Sequence, residues 1–278
     1  MPYLAANGTE LFYRDWGTGR PVVFVTSWGL SSDMWRFQMP YLTDNGFRAI
    51  GYDRRGHGRS DNPGRGYDFD TLADDLGALL DHLDLTGTTL VGHSMGGGEV
   101  VRYLTRHGAD RVERIVLIGS TVPCLMRKAD NRNGVDPAML HATVDAIRDD
   151  LGQWLVGNAP PFWGDGVPGC ELPQVIKDWT LQDLMKVSAD AAVACTRTNI
   201  AADFRAELPG IDLPALILHG EYDASAPVDL CARVSARLLP NARLEVYPNA
   251  AHALYLTHRE RLNADLLAFV RGSVPAAV

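Results

Sequence analysis

The sequence predicts an α/β protein: a mostly parallel central sheet with helices on both faces, interrupted by an inserted helical cap. Three observations lead there. Short apolar runs rich in β-branched residues alternate with amphipathic stretches along most of the chain. That alternation stops between residues 121 and 210, where helix-like pieces are broken by prolines. At 278 residues the chain is also longer than a single undecorated core requires. The expected division is a core built from 1–120 and 211–278 with a cap at 121–210.

In chain order, strands are expected at 10–14, 21–25, 48–52, 89–91, 113–119, 215–219 and 243–247. Between them the spacing is helical. Over 69–83 Leu72, Leu76, Leu79, Leu80 and Leu83 recur at three- and four-residue steps, which predicts a helix with Asp70, Asp74, Asp75 and Asp81 turned outward. Over 259–270 Leu262, Leu266, Leu267 and Phe269 predict a second one. Breaks in the cap are expected at Pro123, Pro137, Pro160-Pro161, Pro168 and Pro173. The cap's Trp154, Phe162, Trp163, Trp179, Met126, Met139 and Met185 read as a small core joining cap to sheet, with some of them facing a pocket.

Composition narrows the function. With 26 Lys+Arg against 34 Asp+Glu the net charge is −8, so no basic surface is available for a phosphate backbone and nucleic acid is excluded as a partner. No basic n-region precedes an apolar run, and no apolar stretch approaches the ~18 residues of a membrane span. A cytoplasmic protein without membrane attachment is expected. Cys124, Cys170, Cys195 and Cys231 form no CxxC pair and have no histidine at zinc-finger spacing, so neither a metal knuckle nor a dithiol site is expected and they read as free thiols.

The chemistry centres on Gly92-His93-Ser94-Met95-Gly96, set between a buried strand and a helix. A serine on such a turn has strained backbone angles, and its neighbours two residues away must be very small; Gly92 and Gly96 meet that requirement. The helix that follows aims its N-terminal amides at the same spot. A serine hydroxyl needs a base and a carboxylate to orient it. Asp223 lies in the loop past the strand at 215–219, and His252 in the loop past the strand at 243–247. Ser94, Asp223, His252 is one of the known chain orders of the Ser-His-Asp constellation. Glu221 is the rival acid. Among the other histidines, His93 lies inside the turn, His57 lies upstream in a Gly-rich loop, His219 ends a buried strand, and His82, His107, His141 and His258 fall on helices or in the cap.

Several stretches carry a resemblance: Tyr52-Asp53-Arg54-Arg55-Gly56-His57-Gly58-Arg59-Ser60, the run from Gly92 to Tyr103, Asp203-Phe204-Arg205, Leu216-Ile217-Leu218-His219-Gly220 and Thr257-His258. Through them the chain resembles the α/β-hydrolase superfamily, and within it the cofactor-free bacterial haloperoxidases, aryl esterases and γ-lactamases. The resemblance implies an α/β-hydrolase fold, no cofactor, and oxyanion-hole amides on Trp28 and Met95. It implies a serine hydrolase acting on a small-molecule ester, lactone or amide through an acyl-enzyme, with perhydrolysis within the same chemistry. Carbon-carbon bond hydrolysis and a ligand-sensing role for the same residues are the alternatives. Substrate contacts are expected from Trp28, Trp154, Phe162, Trp163 and Leu254; oligomeric state is open, a homo-oligomer included. One departure stands out. The family carries His-Gly before the oxyanion residue, whereas here Thr26-Ser27 precede Trp28. The loop is expected to keep its path, with the two hydroxyls replacing the imidazole's hydrogen bonds.

Overall fold

In the computed structural model, which describes residues 2–272, eight strands form one sheet: β1 (Tyr3–Ala6), β2 (Thr9–Trp16), β3 (Pro21–Val25), β4 (Arg48–Tyr52), β5 (Thr88–His93), β6 (Val112–Ile118), β7 (Ala215–Gly220) and β8 (Ala242–Tyr247). Their spatial order is β1-β2-β4-β3-β5-β6-β7-β8. The first two joins, β1 to β2 and β2 to β4, are antiparallel and every later one is parallel. All seven expected strands are present, with ends shifted by a few residues. The extra strand, β1, joins β2 through Asn7-Gly8, both at positive φ (49° and 73°), the signature of a tight hairpin turn. Part of the expected 211–278 segment, residues 273–278, lies outside the described residues.

Ten helices accompany the sheet among the described residues: α1 (Gln38–Asp44), α2 (Phe69–His82), α3 (Met95–His107), α4 (Pro137–Asp149), α5 (Leu151–Trp163), α6 (Gln174–Leu184), α7 (Ala189–Ala201), α8 (Ala232–Leu238), α9 (Leu254–Thr257) and α10 (Arg259–Val270). Side-chain alternation along the strands divides the core into two layers. Val23 and Val25 pack with Leu72, Leu76, Val100 and Ala232 of α2, α3 and α8. Val22 and Phe24 pack with Met39, Leu42, Leu262 and Leu266 of α1 and α10. Covered on both faces, the central strands carry apolar runs such as Val22–Val25 and Ile115–Ile118, as parallel strands require.

Two local expectations are corrected. Asp75 does not face solvent: it is 1% exposed, and its carboxylate accepts from Arg55 Nε (2.6 Å), Arg55 Nη2 (2.7 Å) and Asn7 Nδ2 (3.0 Å). A helical wheel separates apolar from polar residues but cannot register a distant guanidinium that makes burial of a carboxylate tolerable. Nor do Pro160-Pro161 break the cap; α5 runs through both and ends at Gly164 in the left-handed conformation (φ 82°). The prolines fall in its last turn, their fixed φ is helical, and the carbonyls they orphan, on Val156 and Gly157, belong to exposed residues that water can reach. Pro137 and Pro173, by contrast, stand at helix starts.

Candidate active site

Strands β3 and β5 lie side by side, and the crossover after β3 leads to β4 on one side while that after β5 leads to β6 on the other. Such a reversal opens a crevice at the carboxyl ends of the strands. Trp28 follows β3 there and Ser94 follows β5. Ser94 has φ 55° and ψ −122°, a strained combination for a residue with a Cβ. It is held by hydrogen bonds at both backbone ends: its N–H donates to Ile118 O (3.0 Å), and its carbonyl accepts from Gly97 N (3.1 Å) and Ser120 Oγ (3.3 Å). The flanking glycines are sterically obligatory. A Cβ on Gly92 would lie 2.5 Å from Gly96 O, and one on Gly96 would lie 2.6 Å from Thr26 O.

The loops after β7 and β8 bring the other two residues in. Gly220 lets β7 pass against the β8 loop, where a Cβ would lie 2.5 Å from Ala250 O. His252 Nε2 is 2.9 Å from Ser94 Oγ and its Nδ1 is 2.7 Å from Asp223 Oδ2. An ionised carboxylate only accepts, so Nδ1 carries the proton and Nε2 is the free base facing the hydroxyl. The other Asp223 oxygen accepts from the backbone N–H groups of Ser225 (2.9 Å) and Ala226 (2.8 Å). Burial pushes the Asp223 carboxyl up, but His252 and the hydrogen bonds outweigh it and hold the group below the ordinary carboxylate value. Glu221 is exposed, and it is Asp223 that His252 Nδ1 meets.

Two further histidines back this chain. His93 Nε2 donates to the His252 carbonyl (3.0 Å), and burial, with His252 adding to it, pushes His93 down to about 3. His219 donates to Ala226 O (2.6 Å) and lies 3.5 Å from Asp223 Oδ2; burial lowers it as well. Neither position was singled out for support by sequence spacing, since only the packed loops reveal which carbonyls they meet.

Ser94 and His252 open into a cavity of about 340 Å³. Trp28, Trp154, Phe162 and Trp163 all line it, with Leu140, Ile147, Leu155 and Leu184 completing a largely apolar wall. The Trp28 and Trp154 rings meet edge to face at 5.4 Å, and Trp28 Nε1 donates to Ala192 O of α7 (3.0 Å). Thr121 and Asn199, missed from sequence, add polar groups joined by a 2.8 Å hydrogen bond. Leu254 is not part of the wall; fully buried, it packs in the core layer with Trp35 and Tyr255 because α9 starts there and turns the chain under the site. Among the cap's large apolar residues, Met139, Trp179 and Met185 are exposed (67%, 43% and 58%) and do not join the small core expected of them. Helix periodicity alone leaves the choice of inward face open when apolar residues populate both sides.

The loop carrying Trp28 also differs from expectation. The Thr26 and Ser27 hydroxyls make no hydrogen bond among the described residues. The buried guanidinium of Arg54 instead donates to the carbonyls of both, from Nη2 to Thr26 O (2.7 Å) and from Nη1 to Ser27 O (2.9 Å). Among the described residues no cluster of His, Cys, Asp or Glu has the geometry to hold a metal ion, and no helix is long and apolar enough to cross a membrane.

The mostly parallel eight-stranded sheet, the serine on its strand-to-helix turn and the acid and histidine on later loops define an α/β hydrolase, and a family model described as alpha/beta hydrolase fold matches residues 20–154. Sequence similarity runs nearly end to end. The chain is 41% identical to a non-heme haloperoxidase of Rhodococcus erythropolis, over 97% of this chain and 99% of the relative. It is 38% identical to a bifunctional esterase/perhydrolase of Acinetobacter calcoaceticus, over 95% and 97%. An esterase from Exiguobacterium antarcticum superposes with a TM-score of 0.92 at 30% identity, covering 97% of this chain and 99% of that one. The chain belongs to the α/β-hydrolase family, among its non-heme haloperoxidases and esterases.

Proposed function

We propose that the protein is a serine hydrolase that cleaves small carboxylic esters through an acyl-enzyme, with Ser94 as nucleophile, His252 as base and Asp223 as the acid that orients it. The observation that carries this reading is the continuous hydrogen-bonded chain from Asp223 through His252 to Ser94 Oγ, which lines the cavity. Ser94 Oγ attacks the ester carbonyl as His252 Nε2 takes its proton, and the backbone N–H groups of Met95 and Trp28 receive the oxyanion. His252 then returns the proton to the departing alcohol. Water, deprotonated by the same nitrogen, attacks the acyl-enzyme and regenerates Ser94. Hydrogen peroxide in place of water yields a peracid and free Ser94, which connects ester hydrolysis to relatives named haloperoxidases: a peracid oxidises halide to hypohalite and becomes the carboxylic acid.

Residues 121–210 act as the cap in this reading. Their helices supply most of the wall, and a cavity of about 340 Å³ suits a short acyl or aryl group. Small lactones and amides of similar size fall within the same geometry. Four cysteines, all buried and unpaired, support a reducing, cytoplasmic setting. The test is p-nitrophenyl acetate turnover over many enzyme equivalents, compared with Ser94→Ala. Equal rates in the two proteins would overturn the assignment.

A further inference from the structure

The loop that carries Thr26-Ser27 ahead of Trp28 is held from behind by a buried ion pair. Arg54, 1% exposed, follows β4 at the carboxyl edge of the sheet; Glu99, fully buried, lies in the second turn of α3. Arg54 Nε donates to Glu99 Oε1 (2.7 Å), Nη2 contacts the same oxygen, and Tyr52 Oη donates to Glu99 Oε2 (2.9 Å). The outer edge of the guanidinium then faces the loop and donates to Thr26 O and Ser27 O at 2.7 and 2.9 Å.

We infer that Arg54, oriented by Glu99 and Tyr52, is a positioning residue that aims the Trp28 amide at the oxyanion. The inference rests on the serine-hydrolase reading. Its physical basis is the peptide unit. Ser27 C=O and Trp28 N–H belong to one planar trans peptide and point in opposite directions. Pinning the carbonyl from behind therefore fixes where the N–H points in front, even though Ser27 leaves that backbone without a glycine's tolerance. A charge-assisted bond to the carbonyl also polarises the peptide and makes its N–H a better donor.

The same pair links the two donors. Met95 is the first residue of α3 and Glu99 lies one turn further on, so Glu99 couples the Met95 end of the oxyanion site, through Arg54, to the Trp28 end. Contact between the two segments is direct as well, since Gly96 packs on the carbonyls of Val25 and Thr26. A lysine cannot replace the fork: it offers one compact charge where Arg54 serves a carboxylate on one edge and two carbonyls on the other.

The experiment compares wild type, Arg54→Lys and the double variant Arg54→Met with Glu99→Leu, which removes both charges and so leaves no unpaired carboxylate in the core. Each is checked for folding by near-ultraviolet circular dichroism. Ester hydrolysis is measured alongside inhibition by phenylboronic acid, whose boron accepts Ser94 Oγ to form a tetrahedral adduct with an oxygen at the oxyanion position. Loss of a whole oxyanion donor costs about 10²–10³ in kcat, so misaiming one should cost about 10- to 100-fold, with KM within about twofold of wild type and boronate affinity weakened in parallel. A folded variant with kcat near that of wild type, a loss confined to KM, or a kcat loss with unchanged boronate affinity would each overturn the role. Failure of the underlying esterase reading shows separately, as Ser94→Ala matching wild type, and boronate affinity still reports on the oxyanion site.

Discussion

Replacing Asp223 by asparagine tests the orientation of the base with little change in shape. In the native site one carboxylate oxygen accepts from His252 Nδ1 and the other from the N–H groups of Ser225 and Ala226. An asparagine has one acceptor and one donor end, and it meets three donors. If its oxygen keeps the two backbone N–H groups, its NH₂ faces His252 Nδ1, which must then lose its proton. The ring switches to the tautomer protonated on Nε2, and Ser94 Oγ faces a donor instead of a base. The flipped amide keeps the right tautomer only by setting its NH₂ against two backbone donors in a buried site, where an unmade hydrogen bond costs about 1–3 kcal/mol each. The first arrangement is therefore favoured, and it is the inactive one. By analogy with the same exchange in serine proteases, kcat should fall by up to about 10⁴, or about 5 kcal/mol of transition-state stabilisation. Stopped-time assays on p-nitrophenyl acetate, with thermal unfolding to verify the fold, provide the measurement. Glu221→Gln is the control and should retain nearly full activity because that side chain is exposed. A kcat for Asp223→Asn within about tenfold of wild type, or a large loss in Glu221→Gln, would refute the reasoning.

Residues acting as one unit should not add: His252→Ala is expected to lose about as much as Ser94→Ala, and the double variant no more than either, by single-turnover comparison of all three. Burial, reinforced by Arg54 at His57 and by His252 at His93, pushes both imidazoles down to about 3. The unfolded chain, with imidazoles near 6.5, then binds about two more protons between pH ~6.5 and ~3, so stability is full above that window and falls as pH drops through it. The slope approaches about 2.7 kcal/mol per pH unit for the pair, and urea unfolding at pH 7 and pH 5 should differ by about 4 kcal/mol; equal midpoints would contradict neutral burial of the two rings. Leu254→Ala should lose about 2–5 kcal/mol of stability while sparing KM, because Leu254 belongs to the core. Phe162→Ala should instead raise activity toward bulkier acyl esters, since its ring lies 5.5 Å from that of His252 on the cavity wall.

What the chain reveals without its coordinates is local in origin. The strands are legible because uninterrupted apolar runs such as 21–25 and 215–218 suit only a sheet covered on both faces. The turn at Ser94 is legible because glycine at 92 and 96 is the sole side chain compatible with backbone contacts near 2.5 Å. Strand ends at 219 and 247 placed Asp223 and His252 on one edge, since parallel strands all present their carboxyl ends to the same side. Position favoured Asp223 over its rival Glu221, two residues away, and the folded loop gives the physical reason by burying the first and exposing the second. Asp75, Arg54 and Glu99 read as solvent-facing or anonymous charges, yet each is buried beside an opposite charge from a distant segment. Their burial depends on pairing across 20 and 45 positions of sequence, which no local pattern encodes. Leu254 and Trp154 differ in the same way: both are apolar and near the site, and the packing of α9 beneath the sheet edge and of α5 above it decides which becomes core and which becomes wall.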